Sequence, residues 1–223
     1  MGGAIALEFS LRHMDRLVGL VLISSGARLR VAPQILTGIQ TDHKGTADLL
    51  ISWMYGASAD PNLLHLGARR LRMVRPEVLL ADFVACNAFD RRAEVAQITT
   101  PTTIICGDAD VMTPLKSSQY LHEQIAGSQL VVILGGGHMA VLEQPAAVAH
   151  AIDAFVERGL PERYVTVAFY DTCQSNLTTA EMIGRTVEDL LARTGADRVN
   201  LIAHSMGAIP TRWCVQFGSC AGK

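Results

Sequence analysis

A chain of 223 residues, 49% hydrophobic and 18% charged, can bury a sizeable core, which excludes an intrinsically disordered protein. Its formal net charge of -2 gives no electrostatic reason to bind nucleic acid or an anionic membrane surface, and neither is expected as a partner. No apolar stretch reaches the roughly 18 residues that a membrane span needs. Residues 1 to 6 also lack the basic start and long apolar region of a signal peptide, so a cytoplasmic location is expected.

In chain order, 4 to 13 reads as a helix with Ile5, Leu7, Phe9 and Leu11 apolar and Glu8 and Arg12 free to sit opposite. Residues 17 to 23 read as a buried strand closed by the turn residues Ser24, Ser25 and Gly26. Residues 27 to 97 hold helical patterns, among them 45 to 55 and 63 to 73, broken at Pro33, Pro61 and Pro76, and resemble a helical insertion. A strand is predicted over 102 to 106, a helix over 115 to 125, a strand over 130 to 134 and a helix over 145 to 157. Strand and helix alternate, and with 19 glycines and only 5% aromatics this predicts an α/β fold, a mostly parallel sheet with helices on both faces. The pattern breaks at 159 to 163, the predicted junction. Beyond it come a strand over 164 to 170, a helix over 178 to 192 with Thr178 and Glu181 as capping box and Gly195 as its end, a strand over 199 to 203 and a helix over 208 to 217.

Three local patterns carry chemistry. Ala203-His204-Ser205-Met206-Gly207 lies between a predicted strand and a predicted helix. A sharp strand-to-helix turn that pushes a serine hydroxyl outward needs small residues two positions either side, and Ala203 and Gly207 supply them. Gly107-Asp108-Ala109-Asp110-Val111-Met112-Thr113-Pro114 comes after a buried strand, where a carboxylate can orient a histidine. Asp110 is the candidate, and Asp108 is read as a cap for the turn or the next helix. Gly136-Gly137-His138-Met139 sits at another strand end, and imidazole titrates near neutrality, which makes His138 the candidate base. His13, His43, His65, His122 and His150 are read as solvated or structural, and Cys106 as a buried inert thiol. No metal-ligand spacing or dinucleotide fingerprint appears, so no metal and no cofactor is expected.

Residues 1 to 158 resemble the second half of an α/β-hydrolase, with Met1 to Leu7 similar to the segment just after the nucleophile in such enzymes; in that parent the serine precedes residue 1. Residues 164 to 223 resemble the part of a secreted bacterial triacylglycerol lipase that runs into its nucleophile elbow, in Tyr170-Asp171-Thr172-Cys173-Gln174-Ser175-Asn176 and His204-Ser205-Met206-Gly207. The resemblance implies that the two pieces together form one composite, truncated and permuted domain with a helical cap over about 27 to 97. They hold one serine, one acid and one base in the order Asp110, His138, Ser205, and a triad is defined by geometry rather than chain order.

The resemblance implies a carboxylic-ester hydrolase working through an acyl-enzyme, with Ser205 attacking, His138 moving its proton, Asp110 orienting the ring and the Met206 N–H facing the oxyanion. The cap is expected to roof the acyl pocket with residues such as Trp53, Met54, Leu63 and Met73, although such a stripe is as often plain core, and no substrate contact is assigned to them. The family's strand that precedes the one matched by 164 to 169, and whose loop gives a second oxyanion donor, has no counterpart; N–H groups near Asp171 or Thr172 are the candidate replacements. Loss of one such donor typically costs about 100- to 1,000-fold in rate, so weak activity is expected. Either strand 164 to 169 moves into the vacant position or the sheet pairs with a second copy. A surplus helix and open strand edges favour a homodimer, swapped in the second case. A non-catalytic fusion and a hydrolase acting on lactones or C–C bonds are the competing readings. In a cytoplasmic product Cys173, Cys214 and Cys220 are reduced thiols, whereas a secreted ancestor would use a disulfide.

Overall fold

The computed structural model describes residues 1–158 together with Arg185, Glu188, Asp189, Ala192, Arg193 and Gly195. The predicted strands over 164 to 170 and 199 to 203, the helix over 208 to 217, the junction and the three C-terminal cysteines lie outside the described residues. Within the helix expected over 178 to 192, the described positions Arg185, Glu188, Asp189 and Ala192 are helical, as is Arg193. Gly195 beyond them has φ +66°, the left-handed conformation that ends a helix.

Three strands form a parallel sheet in the order β1 (Leu20–Ile23), β2 (Thr102–Gly107), β3 (Gln129–Ile133). Strand β1 begins at Leu20 rather than at 17, because a single turn of 3₁₀ helix at Met14–Arg16 consumes the chain just before it and only Leu20 onward pairs with β2. Around the sheet run α1 (Gly2–Arg12), α2 (Pro33–Thr41), α3 (His43–Met54), α4 (Pro61–Met73), α5 (Pro76–Ala88), α6 (Leu115–Gln124), α7 (Ala140–Glu143) and α8 (Pro145–Glu157).

The sheet is covered on both faces, as expected of buried parallel strands. Alternation sends Leu22 and Ile104 to one side, where they pack with Leu7 of α1, Leu121 of α6 and Val95, Ile98 and Ile125. Ile23, Ile105 and Ile133 point the other way, onto Ala140, Val148 and Ala151 of α7 and α8. Strand β2 is buried at every position, which is why its residues read as a continuous run without a polar face. On the α1 side, Glu8 accepts a hydrogen bond from Arg91 at 2.6 Å and pairs with Arg12 one turn on. The Arg91 hydrogen bond, against the opposing effect of burial, holds the Glu8 carboxyl below its ordinary pKa.

Helices α2 to α5 form the cap. Pro33, Pro61 and Pro76 do not merely interrupt helices; each occupies the first turn of one, where the missing N–H costs nothing. Asp42 and Asp60 cap the starts of α3 and α4, accepting from the N–H groups of Gly45 (3.0 Å) and Asn62 (2.8 Å). At the neck the incoming and outgoing chains meet, with Arg28 bridged to Asp90, the Arg91 N–H on the Ala27 carbonyl and the Val31 N–H on the Asn87 side chain. The cap has its own core of Ile35, Ile39, Leu50 and Leu79, on which Trp53 and Phe83 pack. Trp53, expected from the sequence to roof the pocket, is half-buried and packs against this core, and Met73 is 64% exposed to solvent.

Candidate active site

Neighbouring parallel strands end side by side, so the loops that leave β2 and β3 are forced together at one edge of the sheet. They are laced by backbone: the Asp108 N–H donates to the Ile133 carbonyl and the Ala109 N–H to the Gly136 carbonyl at 3.0 Å. Asp108 neither caps its own turn nor the following helix; its carboxylate reaches across to accept the Gly135 N–H at 2.6 Å. The loops approach so closely at Gly107 that a Cβ there would run into the Gly136 carbonyl, which explains the glycine that closes β2.

This lacing brings Asp110 to His138. Nδ1 of His138 lies 2.9 Å from Oδ2 of Asp110, and the Asp110 side chain is fully buried. Thr113 completes the arrangement: its N–H donates to Asp110 Oδ1 at 2.8 Å, its hydroxyl donates to Asp110 Oδ2 at 2.7 Å, and the same hydroxyl oxygen lies 3.2 Å from His138 Nδ1. Since the Thr113 proton is spent on the carboxylate, both groups facing Nδ1 are acceptors. The ring therefore carries its proton on Nδ1, and Nε2 is the basic nitrogen. Burial pushes the Asp110 carboxyl up, but the hydrogen bond and charge of His138, with the two Thr113 donors, outweigh it and hold the pKa below the ordinary value.

In the sequence Thr113 stands in the Gly107 to Pro114 pattern around Asp110 without a role of its own; the structure gives it one. Thr113→Val keeps the shape and removes the hydroxyl, leaving a buried carboxylate oxygen short of a donor. We expect a loss of about 1–3 kcal/mol in urea unfolding, and an unchanged midpoint would show that the hydroxyl adds nothing to the cradle.

Ser24, at the carboxyl end of β1, holds φ +48° with its hydroxyl buried and unpartnered among the described residues, a strained position at the same edge of the sheet. Cys106, inside β2, is fully buried, and burial pushes its thiol pKa up, in keeping with an inert role. Of the other histidines, His13 packs against Phe9 and His122 meets the Ser128 hydroxyl at 3.0 Å. Ser205, Met206, Asp171 and Thr172 lie outside the described residues. Two of the three proposed triad members are thus juxtaposed, in chain order acid then base.

The chain is similar to known proteins over most of the described residues. A family model described as the alpha/beta hydrolase family matches residues 1–151. A pimeloyl-[acyl-carrier protein] methyl ester esterase of Neisseria meningitidis is 28% identical over 174 residues, covering 72% of this chain and 67% of the relative. A solved thermophilic esterase is 33% identical with a TM-score of 0.65, covering 70% of this chain but only 62% of that protein. An enol-lactonase from Burkholderia xenovorans LB400 superposes with a TM-score of 0.66 at 22% identity, over 71% of this chain and 63% of its own, a likeness of fold. The chain thus spans less than two thirds of these solved enzymes. With the family model covering well over half of the chain, on the residues that build the sheet, the cap and the Asp110–His138 pair, this protein belongs to the alpha/beta hydrolase family.

Proposed function

We propose that the protein is a carboxylic-ester hydrolase of the serine type, in which the segment 164 to 223 supplies the nucleophile Ser205 to the acid and base of the first segment. The observation that carries this reading is the buried Asp110–Thr113–His138 cradle, which fixes the Nδ1–H tautomer and so prepares Nε2 to accept a hydroxyl proton. Ser205 Oγ attacks the acyl carbon as its proton passes to His138 Nε2. The tetrahedral intermediate collapses, the C–O bond to the alcohol breaks, and Nε2 returns the proton to the departing alcohol. Water then attacks the acyl-enzyme, gives a proton to Nε2, and the acid leaves as Ser205 is reprotonated. The Met206 N–H faces the oxyanion, with N–H groups near Asp171 or Thr172 as the second donor.

An ester substrate is favoured by the two esterase relatives, of which the curated one acts on a pimeloyl-[acyl-carrier protein] methyl ester. The cap helix α5 is consistent with an acyl-binding role, since it keeps the apolar side chains of Val78 and Val84 exposed, Val84 by 50%. The active unit is expected to be a homodimer. The test is treatment with a fluorophosphonate and then mass spectrometry of the Ser205 peptide, alongside a panel of p-nitrophenyl esters and lactones. Labelling at Ser205 with turnover of the esters supports the reading. Turnover confined to lactones would move the substrate class, and no labelling and no turnover would mean a fusion whose halves do not align.

A further inference from the structure

The loop that carries His138 is held by more than β3. Immediately after it, Met139 donates its N–H to the Met54 carbonyl at the end of cap helix α3, at 2.9 Å. Glu143, on the short helix α7, turns its half-buried carboxylate back toward the same place. Its Oε1 accepts the Gly137 N–H at 3.1 Å, and its Oε2 accepts the Gly56 N–H at 2.8 Å. Gly137 is the residue before His138, and Gly56 lies in the turn between α3 and α4 of the cap, 87 positions away from Glu143. One carboxylate thus satisfies two backbone donors from two different parts of the fold, and a charged acceptor makes such bonds stronger than neutral ones.

Two features indicate that the joint is built to be tight. A Cβ on Gly137 would collide with the Gly56 N and with the backbone of Tyr55, and a Cβ on Gly56 would stand 2.5 Å from the Gly135 carbonyl oxygen. Backbone therefore meets backbone here, and only glycine permits it. Tyr55, buried beside the joint, has its phenol pKa raised, first by burial and then by the charge of Glu143. Among the described residues the carboxylate of Glu143 is met by backbone N–H groups and by no ion pair.

We propose that Glu143 is a positioning residue: its carboxylate ties the cap turn at Gly56 to the Gly137 N–H and thereby sets the His138 ring against Asp110. It touches neither substrate nor reacting atoms and acts through the loop. A shift of about 1 Å in a reacting group can cost about 100-fold in rate, so a joint one residue from the base has leverage out of proportion to its own energy. The cap and the base also become one mechanical unit, so any displacement of the α3–α4 turn is felt at His138.

This inference rests on the proposed role of His138, and its test separates the two. Glu143→Gln keeps one carbonyl acceptor but presents an NH₂ group to the second N–H, so it can satisfy only one of the two donors; Glu143→Ala satisfies neither. Gly56→Ala attacks the same joint from the cap side without altering Glu143. Ester turnover is measured well below the unfolding midpoint, together with the ¹H–¹³C cross-peak of the His138 Cε1–H, assigned by its loss in His138→Gln. The expected result is a fall in kcat of about 10-fold for Glu143→Gln and about 100-fold for Glu143→Ala, with KM changed far less and the His138 cross-peak shifted or broadened in both and in Gly56→Ala. If all three variants keep the wild-type cross-peak, Glu143 does not position the ring and the inference is overturned, whatever the turnover. If the cross-peak moves as expected while His138→Gln hydrolyses esters at the wild-type rate, the positioning stands and the assignment of His138 as base fails. Lowered thermal stability with kcat and cross-peak both unchanged would identify a purely structural joint and also overturn it.

Discussion

Ser205→Ala and His138→Ala should each abolish ester turnover, lowering kcat/KM by about 10³-fold or more while leaving the fold intact, because the triad acts as a unit and removing either member is nearly as costly as removing both. The double variant is therefore expected to be no worse than either single one. A rate unchanged by either substitution would sink the serine mechanism. The same two variants address whether the site forms within one chain or between copies. Each inactive variant carries the intact residue that the other lacks, so mixing them restores about a quarter of wild-type activity if Ser205 of one copy serves His138 of another, and none if each chain completes its own site. Turnover of a chromogenic ester before and after mixing, with refolding to allow exchange, gives the answer.

Asp110→Asn should be nearly as damaging, for a reason written in the hydrogen bonds. An amide in place of the carboxylate can still accept the Thr113 N–H through its oxygen, but its NH₂ then faces His138 Nδ1. That stabilises the tautomer with the proton on Nε2, where it cannot accept one from serine, and a loss of about 10³- to 10⁴-fold in kcat is expected. A kcat within about twofold of wild type would mean that Asp110 does not set the tautomer. Stability should respond in a pH-dependent way. The folded-state pKa of Asp110 lies below the ordinary 3.8, so the carboxylate contributes stability that is present above that value and is lost as pH falls through the folded pKa. Wild type should lose urea resistance on going from neutral pH to below about 4 by more than Asp110→Asn does, since the amide has no proton to gain. Parallel acid limbs in the two proteins would contradict the lowered pKa.

The range of the forces involved decides which parts of this molecule could be read from the chain. Strand β2 and helices α1, α3, α4, α6 and α8 are legible because hydrophobic periodicity, prolines and glycines act over a few residues and carry their own signal; α5 and α7 are not set out by it. The same local grammar places the breaks at the prolines of the cap but does not show that each proline opens the next helix. A proline can both stop one helix and start the next, and which of the two dominates at Pro33 depends on Ile35 and Ile39 finding Leu50 and Leu79 in a core that no window of sequence contains. Strand β1 is three residues shorter than its apolar run for a related reason: residues 17 to 19 are apolar enough for a strand, yet pairing begins only where Leu20 meets Thr102.

The identities of Asp110 and His138 as a candidate acid and base were determined by the sequence alone, since a carboxylate and an imidazole each at a strand end suffice to suggest the chemistry. Their meeting was not. It required β2 and β3 to be adjacent and parallel, so that loops 25 to 28 positions apart in the chain could be laced by backbone hydrogen bonds into one cradle. Thr113 is divided between the two levels: its bonds to Asp110 span three positions and lie inside one loop, whereas its approach to His138 Nδ1 needs the loops to meet. Glu143 belongs wholly to the second level, because a glutamate that gathers N–H groups 6 and 87 positions away has no local signature; hydrogen bonds are short in space and indifferent to distance along the chain.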